Sequence, residues 1–113
     1  MTVPGDPGAL DRLFQALADP TRRALVEQLS RGPATVSELA GPLAKSLPLV
    51  MQHLQVLEAG GLVRSQKAGR TRTCHLEPAA LDCFEGWVRD RRRAWERRLD
   101  RLGAFLDETA QET

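Results

Sequence analysis

The sequence predicts a mainly α winged helix-turn-helix, with a two-stranded β wing and a long C-terminal helix for pairing with a second copy, and three observations carry that prediction. First, Ser46-Leu47-Pro48 opens and Gly60-Gly61 closes an apolar-periodic stretch of helical length. Second, two β-prone segments follow at once, Leu62 to Gln66 and Thr71 to Leu76, joined through Lys67-Ala68-Gly69-Arg70. Third, Leu81, Val88, Trp95 and Leu102 recur every seven residues, flanked by Phe84, Leu99, Phe105 and Leu106.

Taken in order, residues 1–8 are rich in Pro and Gly and read as a flexible arm, and residues 9–113 as one domain. Leu10, Leu13, Phe14 and Leu17 fall at helical spacing, predicting a first helix over 9–18 that stops before Asp19-Pro20. Asp19 is placed to cap the second helix, with Pro20 at its first position and Ala24, Leu25 and Leu29 on its buried face. Thr35-Val36-Ser37-Glu38 is a capping box opening a short third helix, which Gly41-Pro42 weakens or kinks. Ser46 caps the fourth helix, 47–59, in which Val50, Leu54 and Leu57 face inward.

The last helix is expected over 79–108. Its apolar stripe is longer than so small a domain can cover by itself, so part of it needs a second chain. Gly86 leaves open a break into two shorter helices. Arg91 and Arg98 sit at the positions where a strict coiled coil wants apolar residues, which argues against that form of pairing. Dimerisation is accordingly expected through helices 9–18 and 79–108, with Leu10, Leu13, Phe14, Leu81, Phe84, Val88, Trp95, Leu99, Leu102 and Leu106 as the contact residues.

Charge is unevenly spread. The net +1 hides a run from Lys45 to Arg72 with five basic residues against one acid, while residues 1–44 carry four against five and 73–113 seven against nine. Exposed cations on a wing attract a polyanionic backbone by counterion release. Two cysteines without a framework suit a reducing cytoplasm, and no apolar run approaches the roughly 18 residues of a membrane span.

These residues resemble the ArsR/SmtB winged-helix transcriptional repressors over roughly Leu10 to Leu106. The resemblance rests on Leu17-Ala18-Asp19-Pro20-Thr21-Arg22-Arg23, Thr35-Val36-Ser37-Glu38-Leu39-Ala40, Ser46-Leu47-Pro48 leading into Gln52-His53-Leu54, Val56-Leu57-Glu58-Ala59-Gly60-Gly61-Leu62-Val63 and the Arg-rich wing. It implies a cytoplasmic homodimer that binds double-stranded operator DNA and usually represses, released by an inducer, whether a small molecule or a redox signal. The departures matter as much. Metal-sensing members carry cysteines around the third helix, where this chain has none, or Asp and His ligands along the last helix, where it has no histidine between Glu77 and Thr113. It is similar to members without an evident ligand set, and neither a metal nor a cofactor is expected.

A recognition helix presents its N-terminal half to base edges, which selects Ser46, Leu47, Leu49, Met51, Gln52 and Gln55 as DNA-contact candidates. Gln52 matches the donor and acceptor of adenine, Leu49 or Met51 suits a thymine methyl, and Ser46 suits a phosphate. Core packing is the alternative for Met51, and a structural role is favoured for His53. On the wing, Lys67, Arg70 and Arg72 reach toward phosphates or the minor groove, with Arg64 a weaker candidate beside the domain. Arg22 and Arg23 are weaker still, with pairing to an acid inside the fold as the alternative.

Cys74, His75 and Cys83 lack the close spacing of a zinc motif, so buried small hydrophobes are the default for both cysteines, with a thiol- or metal-responsive repressor as the alternative. No phosphate-cradling loop and no nucleophile matched to His53 or His75 is present, so an enzyme is not expected and no catalytic residue is assigned. The rival outside DNA binding is a winged-helix protein-interaction module, which would expose apolar residues on the fourth helix.

Overall fold

The structure, a computed structural model, describes residues 7–111. Six of the eight residues expected to form an arm therefore lie outside the described residues. The element order is α1 (Ala9–Leu17), α2 (Pro20–Leu29), β1 (Ala34–Thr35), α3 (Val36–Ala40), a 3₁₀ turn (Gly41–Leu43), α4 (Leu47–Ala59), β2 (Val63–Ala68), β3 (Thr71–Leu76) and α5 (Pro78–Gln111). Two compact units result, Met1–Cys83, which holds the winged helix and the start of α5, and Phe84–Thr113, which holds the rest of α5. Among the described residues no helix is long and apolar enough to cross a membrane.

Capping decides where the helices begin. The Asp19 carboxylate accepts the Arg22 backbone N–H at 3.1 Å ahead of Pro20, satisfying a donor that the first turn leaves orphaned. At α3 the capping box closes in both directions: Glu38 N–H donates to Thr35 Oγ1 at 3.2 Å and Thr35 N–H to Glu38 Oε1 at 3.0 Å. The Arg22 N–H binds the ionised Asp19 carboxylate and the Thr35 N–H the ionised Glu38 carboxylate, so Asp19 is held below its ordinary 3.8 and Glu38 below its ordinary 4.5. A lowered folded pKa means stability that is present above the unfolded value and lost as pH falls through the folded one. The urea midpoint should therefore drop as pH is lowered from about 5. Asp19→Asn with Glu38→Gln should flatten that drop, and an unchanged pH profile in the double variant would remove both caps from the acid response.

α4 ends as its double glycine predicts. Gly61 takes a positive φ of 82°, Gly61 N–H donates to Glu58 O at 3.0 Å and Leu62 N–H to Leu57 O at 2.9 Å. That is a Schellman closure, and its hydrophobic contact is supplied by Leu57 and Leu62, both fully buried. The chain is thereby turned directly into the wing. β2 and β3 pair from Val63↔Leu76 to Ala68↔Thr71, so β3 has the expected bounds, β2 runs two residues further toward the tip than expected and the turn shrinks to Gly69-Arg70. Gly69 alone has positive φ there, at 64°, which suits the first position of a type II′ hairpin turn.

The core lies between α2, α3, α4 and the base of the sheet, where Leu25, Leu39, Val50, Leu57, Leu62 and Cys74 are almost completely enclosed. Val50, Leu54 and Leu57 all point into it, as their spacing requires.

Three expectations need correction or extension. The wing hairpin is not alone: Ala34 and Thr35 pair antiparallel with Cys74 and Thr73, giving a three-stranded sheet in the order β1-β3-β2. Leu13, expected on the dimer face, is 3% exposed within the single chain and belongs to the core. The reason is helix phase: Ala9, Leu13 and Ala16 form the inward stripe of α1, leaving Phe14 outward at 45% exposure. Gly86 does not break the last helix, which is continuous for 34 residues, about 51 Å, and exceeds the expected 79–108 at both ends.

Candidate nucleic-acid interface

With Val50, Leu54 and Leu57 committed to the core, the opposite side of α4 is fixed by the 100° step of the helix. Gln52 and Gln55 are exposed there, beside Pro48, Leu49 and Val56. Ser46 is exposed at the N-terminus, where its hydroxyl accepts the Leu49 N–H at 3.4 Å. Leu49 (37% exposed) and Val56 (42%) make this face unusually apolar for a solvated one, and Leu47, in the first turn on the core side of the wheel, is 49% exposed. Val56 was absent from the sequence candidates, although its place six residues after Val50 puts it outward once the core phase is known. Met51 is neither core nor free surface: it is half-buried on the flank of α4 that meets the wing.

Register explains how the wing cations are aimed. Successive residues of a strand alternate faces, so Val63, Ser65 and Lys67 share one face of the hairpin with Leu76, Cys74 and Arg72. At the base this face is buried against the core through Val63 and Cys74, and toward the tip it presents Lys67 directly opposite Arg72. Arg64 stands on the other face, 3.9 Å from Glu77, which accounts for its weaker candidacy. Two like charges directly opposite each other destabilise a hairpin unless an anion lies between or beside them.

The pair is held toward α4 by a short relay. Arg72 Nη1 donates to Ser65 Oγ at 2.8 Å, and Ser65 Oγ donates to Glu58 Oε1 of α4 at 3.2 Å. Arg72 is thus partly engaged, whereas Lys67 and Arg70 have no hydrogen-bond or ion-pair partner among the described residues. Together they line an open cleft of about 540 Å³ with Thr35, Val36, Ser37, Met51 and Thr71, in which three walls are cationic and none is acidic. A phosphodiester strand is the chemistry that such a cleft accepts.

Arg22 and Arg23 act elsewhere. Arg22 Nε donates to Ala16 O at 2.6 Å and its Nη2 to Gln15 O at 3.1 Å, and Arg23 Nη1 donates to Leu17 O at 2.7 Å. They satisfy the last carbonyls of α1, and the Arg22 charge also helps to hold the Asp19 carboxylate ionised. His53, on the inner flank of α4, lies 3.5 Å from Arg22 Nη1 and 3.9 Å from Asp19 Oδ2, a structural position between helices.

The cysteines do not converge with other ligands. Among the described residues no three of His, Cys, Asp and Glu are placed to hold a metal ion, so Cys74, His75 and Cys83 form no ligand set. Cys74 is 1% exposed. Burial pushes its thiol above the ordinary 9.0, with the nearby Glu58 charge adding to the shift and Arg72 opposing it. It is an inert core residue at neutral pH.

A helix-turn-helix domain family matches residues 17–66. The HTH-type transcriptional regulator Rv2034 of Mycobacterium tuberculosis is 43% identical over 103 residues, which cover 91% of this chain and 94% of that protein. The crystal structure of an ArsR family transcriptional regulator is 49% identical, covers 80% of this chain and 94% of that one, and superposes with a TM-score of 0.75. An ArsR-like transcriptional regulator from Rhodococcus sp. RHA1, 33% identical over 87% of this chain and 92% of that one, gives the same TM-score of 0.75. Sequence likeness that runs over nearly the whole chain, joined to the same fold, makes this chain a member of the ArsR/SmtB family of winged helix-turn-helix, DNA-binding transcriptional regulators and not an enzyme.

Proposed function

We propose that the protein is a homodimeric repressor that reads an inverted-repeat operator, with α4 in the major groove and the wing, residues 64–72, on the backbone or in the minor groove. The observation that carries this reading is that Lys67, Arg70 and Arg72 line one cleft with Met51 of α4, and Arg72 a second with Met51 and Gln55. Ser46 and the wing cations serve phosphates and set the register. Gln52 and Gln55 read base edges, with Leu47, Leu49 and the half-buried Met51 against thymine methyls. The apolar face of α5, with Leu10 and Phe14 of α1, pairs two such chains, so that two recognition helices meet two half-sites.

Selection of bound duplexes from a random pool by the reduced protein, followed by salt titration, tests this. An enriched inverted repeat, with half-site centres about one helical turn or a multiple apart, supports it. Weak, sequence-blind binding would favour the protein-interaction module, which would use the same exposed Leu47, Leu49 and Val56. On the selected site, Arg70→Ala should weaken binding to all sequences alike and lower the salt slope by about one. Gln52→Ala should instead relax preference at one position of each half-site, by about 1–3 kcal/mol of discrimination. An unchanged salt slope in the first variant removes the wing tip from the contact.

A further inference from the structure

The outward face of α4 is chemically narrow. From Leu47 to Leu57 the chain has no Asp, Glu, Lys or Arg. The one carboxylate of the helix, Glu58, accepts the Ser65 hydroxyl, and His53 is set against Arg22 and Asp19 on the inner flank. With Val50, Leu54 and Leu57 turned inward, the 100° step of the helix places Leu49, Gln52 and Val56 in one outward row, with successive members three and four residues apart. Gln55 stands beside them on the side toward the wing, and all four side chains are exposed.

A surface of amides and aliphatic carbons accepts only part of the base alphabet. Guanine is held through O6 and N7 by a cation and cytosine through N4 by a carboxylate, and neither group stands in this row. Adenine offers N7 as acceptor and N6 as donor, which one glutamine amide satisfies with both of its ends. Against the two acceptors of guanine the amide oxygen would be left unpaired, which costs affinity. Thymine presents a methyl that an aliphatic side chain covers, whereas cytosine sets an N–H donor against the same carbons. The wing cations meet phosphates, which are alike in every sequence, so discrimination falls to the α4 row.

We propose that α4 selects A·T pairs and that Leu49 recognises the thymine 5-methyl group itself, beside an adenine held by Gln52. The proposal rests on the DNA-binding reading above. Side chains three residues apart on a helix have Cβ atoms about 5–6 Å apart, and successive bases rise about 3.4 Å, so Leu49 and Gln52 meet pairs one or two steps apart. Val56 lies about 10 Å further along the axis than Leu49, on the half of the helix that points away from base edges, so the methyl contact belongs to Leu49. A protein partner would want an uninterrupted apolar centre, and Gln52 divides Leu49 from Val56.

The test uses the operator selected for the wild-type protein, with deoxyuridine in place of thymidine one position at a time. Uracil keeps every hydrogen-bonding group of thymine and lacks only the methyl. Wild-type binding should fall about fourfold at the contacted position, from the loss of one buried carbon, and about 15-fold when both half-sites carry the change. Leu49→Ala should no longer distinguish uracil from thymine there. 7-Deazaadenine, which lacks the N7 acceptor, should weaken wild-type binding at an adenine within two steps and leave Gln52→Ala unaffected. Wild-type affinity unchanged by uracil at every thymine overturns the proposal without recourse to a variant, and leaves the DNA reading standing. A uracil penalty that persists undiminished in folded Leu49→Ala does the same, as does a selected half-site whose essential pairs are G·C. A wild type that selects no sequence overturns both.

Discussion

Trp95→Glu combined with Leu102→Glu is expected to convert the protein to a monomer of 12.5 kDa and to reduce operator affinity by about 100-fold or more. Trp95 is 61% exposed in the single chain and Leu102 53%, in the middle of a stripe that continues through Leu99, Phe105 and Leu106. A side chain of this size contributes about 1.5–3 kcal/mol when fully buried, and a two-fold interface contains each residue twice. Removing both on both chains therefore removes about 6–12 kcal/mol, before the added cost of bringing four carboxylates into an apolar seam. Few dimers of this size retain association after such a loss. DNA affinity follows because two recognition helices on one particle bind as a linked pair, and separate monomers lose that linkage.

Helix content should fall in the same variant. From Trp87 to Gln111 every residue of α5 is exposed in the single chain, and an amphipathic helix in water draws most of its stability from packing its apolar face. The far-UV signal should lose part of its helical amplitude while the winged-helix unit keeps a cooperative melt. Sedimentation equilibrium beside circular dichroism checks both statements. A persistent dimer of 25 kDa, about twice the chain mass, would show that the pairing surface lies elsewhere.

How much of this was legible in the sequence depends on how local the cause is. Caps and turns are local, and Asp19-Pro20, the Thr35 to Glu38 box, Ser46 and Gly60-Gly61 each marked a boundary that the structure keeps to within a residue. Leu13 was misassigned because Leu10, Leu13, Phe14 and Leu17 satisfy the helical period as well as Ala9, Leu13 and Ala16 do, and only the neighbouring α4 decides which stripe is inner. β1 has two residues, too few for any alternation, and exists because β3 has a free edge beside it. Arg64 and Lys67 look alike as letters. The pairing register separates them, sending one toward Glu77 and the other toward the cleft beside α4.

Arg22→Ala tests the least legible assignment, since the sequence alone cannot tell a DNA-contacting arginine from one that closes a neighbouring helix. Arg22 lies six and seven residues beyond the carbonyls it binds, across the break at Ala18-Asp19. It joins the end of α1, the cap of α2 and the His53 flank of α4 in one cluster. A hydrogen bond from a charged group is worth about 1.5–3 kcal/mol, and partial exposure of this side chain brings the expected loss for the two together to about 2–3 kcal/mol. The thermal midpoint should fall by about 10–15 °C. Arg22→Lys should recover little, because one ammonium cannot reproduce a fork aimed at two successive carbonyls. Arg23→Ala, which removes a single bond at an exposed position, should lose about 0.5–1 kcal/mol. The deciding readout is the salt slope on the operator: it stays at the wild-type value in Arg22→Ala if the side chain is structural, and drops by about one if it meets a phosphate. A variant with full stability and a reduced slope would move Arg22 from the helix junction to the DNA interface.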